Sequence, residues 1–161
     1  MKKFVTYVAI ALGAVAYNAM TEADRDSTGA IVSEGSVGAF QIRVGDCFDD
    51  TSSSFAEDGV EITSLPGIPC ADPHDNEVFA VFDVNHSTYP EGQAMESLAY
   101  DSCLERFELF VGRDYESSSL DILSMYPTRA SWTLQHDREV VCAVYDMEAS
   151  KLRGSAEGRA L

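Results

Sequence analysis

Basic charge is scarce in this chain: 11 Lys and Arg stand against 27 Asp and Glu, a net charge of -16. That balance repels phosphate backbones and anionic headgroups, so no nucleic-acid partner is expected and the acidity reads as solubility. Catalytic signatures are missing as well. There is no Gly-x-Ser-x-Gly elbow, His-Glu-x-x-His, Walker loop or Gly-x-Gly-x-x-Gly, which removes the common nucleophile, zinc-hydrolase and nucleotide motifs. The lack of an Asp-x-Asp-x-Asp-Gly loop means that the acidity is no evidence for calcium, and the lack of Cys-x-x-Cys disfavours a redox-active dithiol motif. No cofactor is expected.

The long apolar run sits at the start. Lys2 and Lys3 precede Phe4 to Ala16, the basic head and short apolar body of an export signal. Extended through Tyr17 to Met20, the same run approaches the length of a spanning helix. Residues 1–20 are therefore expected to be a cleaved signal peptide or an uncleaved membrane anchor, with the lysines in the cytoplasm and the rest of the chain outside. Residues 21–39 are polar and small, and read as a flexible linker. Residues 40–147 have the composition of one compact domain, and 148–161 return to small and charged residues, as a loosely held tail does.

Within the domain the organising stretch is Pro69-Cys70-Ala71-Asp72-Pro73-His74-Asp75-Asn76-Glu77, followed by Val78 to Phe82. A cysteine leads into a tight turn, and the turn feeds a run fit to be buried on both faces, which predicts a central strand over 77–84. Upstream, Phe40 to Val44 alternates with period two and predicts a half-buried strand; Val60, Ile62 and Leu65 predict a second, stopped by Pro66-Gly67. Downstream, Met95, Ala99, Cys103, Phe107 and Phe110 or Val111 recur at three- and four-residue steps, the stripe of a helix ended by Gly112. Leu120, Ile122, Leu123 and Met125 are core candidates in a stretch without a clear period. Ser131 to Leu134 and Glu139 to Tyr145 predict a hairpin around Gln135 to Arg138.

Four cysteines follow an export signal, so two disulfides are expected. Three pairings are possible. The favoured one joins Cys47 to Cys70, tying the first strand to the corner, and Cys103 to Cys142, stapling the helix to the last strand. A zinc site from Cys70, His74, His136 and Cys142 has tolerable spacing, but such sites belong to reducing compartments and this one would orphan Cys47 and Cys103. A hydrolytic site would use His74 with Asp72, imidazole and carboxylate as base and orienter, but no nucleophile accompanies them. The plainer reading of His74 is a turn histidine bonded to nearby backbone, and that of Trp132 is a core aromatic rather than a ligand platform.

Val44-Gly45-Asp46-Cys47-Phe48, then Ile68 to Val81, Tyr89-Pro90, Cys103 with Phe107, Val111-Gly112, Pro127-Thr128, Trp132, Asp137-Arg138 and Val141-Cys142 resemble the successive motifs of the septum-formation domain family. The resemblance covers about Val44 to Tyr145. It implies an exported or membrane-anchored protein connected with cell division and the envelope, and it brings no catalytic residues. One position departs from the family: His136 stands where its turn usually has glycine. The expectation is an α+β domain, an antiparallel sheet of about five strands with one long helix on a face. It would act outside the membrane as a non-enzymatic binding or scaffolding module, with an envelope protein or cell-wall component as partner; the alternative is an envelope hydrolase using His74 and Asp72.

Overall fold

The computed structural model describes residues 21–50, 62–91 and 93–161. The apolar run at 4–20, Val60 and most of the Asp- and Ser-rich loop lie outside the described residues, and among these no helix is long and apolar enough to cross a membrane. The chain is an α+β fold. Its six strands are β1 (Gly35–Gly38), β2 (Cys47–Phe48), β3 (Ser64–Ile68), β4 (Asn76–Asp83), β5 (Leu120–Met125) and β6 (Glu139–Asp146). They form one antiparallel sheet in the order β1-β3-β2-β4-β6-β5. The long helix α1 (Ala94–Val111) crosses one face, and the short helix α2 (Arg129–Leu134) precedes β6.

Both faces of the central strands are covered, which is why β4 and β6 read as unbroken apolar runs. Along β6 the side chains alternate: Val140, Cys142 and Val144 join the α1 core, whereas Val141 and Ala143 join the core of the opposite face. The α1 core takes Met95, Ala99, Cys103, Phe107 and Val111, the buried stripe expected from their spacing. Gly112 closes α1 in the left-handed conformation, φ 82°, and its N–H donates to the Glu108 carbonyl. Glycine adopts that conformation without a Cβ penalty.

The opposite core is closed by the segment expected to be a linker. Residues 21–38 fold onto the sheet: Glu22 bridges to Ser36, Arg25 bridges to Ile31, and Gly35–Gly38 pairs with β3 as an edge strand. Two apolar residues anchor it, Ile31 and Val37, both buried beside Phe48, Leu65 and Val78. Gly35 faces Gly67 across the pair. A Cβ on Gly67 would stand 2.7 Å from Val37 Cγ2 and 2.9 Å from Ile31 Cδ1, so this close layering needs glycine. The tail is also ordered: Leu152 and Ala156 are buried, and Gly158 and Ala160 donate to the carbonyls of Phe110 and Val111 at the end of α1.

Three other segments differ from expectation. Ala39–Gln41 is a turn of 3-10 helix rather than a strand; only Ile42 is buried, while Phe40 and Val44 are exposed. β3 runs through Pro66-Gly67 instead of stopping there. Ser131–Leu134 belongs to α2, not a strand, because Thr128 and Ser131 cap each other reciprocally: each backbone N–H is accepted by the other's hydroxyl, at 3.0 Å. Leu134, at the end of α2, is exposed.

A polar cluster joins β5 and β6 near the end of α1. The Asp121 carboxylate accepts from Tyr115 at 2.6 Å and from Tyr145 at 2.9 Å. Burial alone would raise the Asp121 carboxyl, but the Tyr115 hydroxyl, the Ile122 amide and the Tyr145 hydroxyl outweigh it and hold it low. Burial and then the Asp121 carboxylate push the Tyr145 phenol up to about 12. An unfolded tyrosine releases its proton near pH 10. Stabilisation present below that pH is thus lost as pH rises toward 12, since the unfolded chain ionises first. Urea unfolding followed across that alkaline range is expected to show the native protein losing stability more steeply than Tyr145→Phe.

Candidate functional site

The Asp-Pro-His corner forms where sequence chemistry put it. The Asp72 N–H donates to the Pro69 carbonyl at 2.8 Å, closing the turn, and Pro73 feeds the chain into β4 through His74. His74 is fully buried. Its backbone pairs with Leu152 in both directions, N–H to carbonyl at 3.1 Å and 2.8 Å, so the tail runs beside the corner. Nδ1 lies 2.8 Å from the Asp72 carbonyl oxygen, which can only accept, so Nδ1 donates to it. Nε2 is buried with no partner among the described residues.

Three residues along, Glu77 is 1% exposed. It stands opposite Cys47 in the β2–β4 pair. Its Oε1 accepts from the Ser155 hydroxyl at 2.6 Å and its Oε2 from the Ala156 N–H at 2.5 Å, so the buried carboxylate is the clasp of the tail. On the solvent side, Lys151 bridges Asp49 at 2.7 Å and Asp75 at 2.9 Å. Burial would raise the Asp75 carboxyl, but the Asp50 amide and Lys151 outweigh it and hold it low. Asp50, by contrast, is raised by burial, with the Asn76 amide only partly opposing.

The cysteines pair as favoured: Cys47 with Cys70 and Cys103 with Cys142, S–S 1.98 and 1.99 Å, with no free thiol. With Cys70 and Cys142 bound in separate cross-links, the sulfurs of the conceivable zinc set are consumed, and His136 is exposed on the turn after α2. The carboxylate of Glu77 lies within 4.8 Å of both Cys47 and Cys70 sulfurs, but those sulfurs are bonded to each other and are not free thiolate ligands.

The three residues singled out from sequence do not converge. Asp72 is exposed and meets His74 through its main chain, not its carboxylate, so the two form no acid-base pair. Trp132 lies in the α1 core, edge-on to Tyr89 and under the Arg138 guanidinium, 3.5 Å from its ring centroid. It is anchored beyond the far end of β4, where Val84 donates to the Arg138 carbonyl. At about 3.3 Å per residue, the ten residues from His74 to Val84 put that roughly 33 Å along the chain from the corner. Glu77, the residue that clasps the tail, was not singled out. Its one sequence signal is a charged residue heading a run that is otherwise apolar.

A family model for septum formation matches residues 39–160. The chain belongs to that family. The match takes in the tail, in keeping with its packing on the septum-formation domain. His136, where the family turn usually has glycine, adopts φ 58°, the left-handed conformation that glycine takes most readily. Comparison with curated proteins and with solved structures found no match.

Proposed function

We propose that this septum-formation domain works outside the cytoplasmic membrane as a non-enzymatic binding or scaffolding module of the cell envelope. It would be secreted or held by residues 4–20, with an envelope protein or cell-wall component as partner. Membership in the family associates the chain with septum formation. The observation that carries the rest is the spending of all four cysteines on two cross-links, an oxidised framework suited to an exported chain. The geometry of the corner speaks against the hydrolase alternative, because an imidazole without solvent access cannot reach a substrate and Asp72 offers it only a carbonyl. Among the described residues, a polar hollow of about 260 Å³ is lined by Glu22, Ala23, Asp24, Arg25, Gln41 and Arg43. Its Arg25 is already engaged by Asp46.

Protease added to intact spheroplasts is expected to digest the domain while a cytoplasmic marker survives; a protected domain would place it inside and overturn the reading. Asp72→Asn, at an exposed side chain, is expected to leave septation at the native level. A folded D72N protein that fails to support division would restore the hydrolase.

A further inference from the structure

The two cross-links sit in different surroundings. Cys103 and Cys142 are both fully buried in the apolar α1 core. Cys47 is fully buried too, but Cys70 is only half-buried and opens the exposed turn Ala71-Asp72-Pro73. Around this second bond the chain supplies what two free thiols would need. The Gly45 carbonyl lies 3.3 Å from Cys70 Sγ, placed to accept from a Cys70 thiol. On the buried side the Glu77 carboxylate lies within 4.8 Å of both sulfurs. Each of its oxygens accepts one described hydrogen bond and has room for a second, so a Cys47 thiol would find an acceptor there.

We infer that Cys47–Cys70 is a reversible bond, exchanged with an extracytoplasmic dithiol, and that Cys103–Cys142 is permanent. The attacking thiolate of the dithiol bonds to the accessible Cys70 sulfur, and the electron pair of the broken disulfide leaves on Cys47. That thiolate takes a proton from solvent as the bond opens, and the resulting thiol donates to a Glu77 carboxylate oxygen. The second thiol of the reagent, deprotonated, then displaces Cys70, which is protonated in turn. Two electrons and two protons have passed to the protein, and the reagent leaves as a disulfide. The consequence falls on the tail. Gly154 donates to the Cys70 carbonyl at 2.7 Å, Leu152 pairs with His74, and Ser155 and Ala156 are held by Glu77, so Lys151–Ala156 is fastened to the element that the bond anchors. Reduction therefore loosens this half of the tail and uncovers Leu152, Ala156 and the Glu77 carboxylate.

The site of exchange in the cell rests on the proposed location, but the thiol chemistry does not, so it is measured on the purified full chain with dithiothreitol as the dithiol. Timed alkylation read by mass spectrometry is expected to label Cys47 and Cys70 at least about tenfold faster than Cys103 and Cys142, the order that accessibility sets. Hydrogen exchange in 151–156 should rise over the same interval while the α1 amides stay protected. The paired substitution Cys47→Ser with Cys70→Ser should show that raised exchange without reductant. Labelling of Cys103 and Cys142 first, or of all four with loss of α1 protection, would overturn the assignment. Opening of Cys47–Cys70 with 151–156 still protected would overturn the latch. Failure of the spheroplast experiment alone would remove the location and leave these outcomes standing.

Discussion

Replacing Phe107 with alanine is expected to lower the unfolding free energy by about 3–5 kcal/mol, the range for emptying a packed aromatic site. Phe107 is fully buried and meets two other rings edge-on, Phe79 at 6.2 Å and Tyr115 at 5.4 Å between centroids. Those partners come from β4 and from the turn ahead of β5, so the ring joins three elements. The Cys103–Cys142 bond fixes α1 one turn earlier and limits how far the helix can settle into the cavity. Leu109 on the same helix is the internal control: it is 91% exposed, and Leu109→Ala should stay within about 0.5 kcal/mol. Urea unfolding measures both. The expectation fails if F107A costs under about 1 kcal/mol, or if L109A costs as much as F107A, because either result would mean that α1 does not lie on the sheet by this face.

The contrast between those two leucine-and-phenylalanine neighbours was legible in sequence, because a four-residue recurrence picks out one stripe of a helix whatever the rest of the fold does. The corner and the doubly buried strands were legible for the same kind of reason: turn residues and unbroken apolar runs are local signals. What stayed hidden depended on partners distant in the chain. Ser131-Trp132-Thr133-Leu134 alternates like a strand, and its helical state rests on a cap between Thr128 and Ser131 in which serine takes the place usually marked by glutamate or glutamine. The role of Glu77 could not be read without knowing that Ser155 and Ala156, 78 and 79 residues later, would supply its donors. The segment 21–39 and the tail were misjudged by composition, since each buries only two side chains and is held mostly by backbone bridges that composition does not record.

That misjudged segment makes the last expectation a large one. Arg25, in what composition marks as a tether, donates to both carboxylate oxygens of Asp46, at 2.5 Å and 2.7 Å. The side chains are 17% and 6% exposed, so this is a largely buried, bidentate pair rather than a surface contact. The carboxylate also accepts from the Arg43 N–H at 2.8 Å, and the Arg25 guanidinium bonds the Gly29 carbonyl, closing the 24–32 hairpin over Ile31. The hydrogen bond to Asp46 raises the Arg25 guanidinium beyond its already high value, so the guanidinium stays charged throughout the ordinary pH range. Arg25→Ala strands the Asp46 carboxylate immediately before Cys47, where it has lost its cation but not its burial. A loss of about 3–5 kcal/mol is expected, the cost of breaking a buried pair from one side. Asp46→Asn with Arg25→Gln should recover part of it, because a neutral pair leaves no unbalanced charge to desolvate. A flexible tether would predict no change in the urea midpoint for either variant, and that result would detach residues 21–38 from the domain.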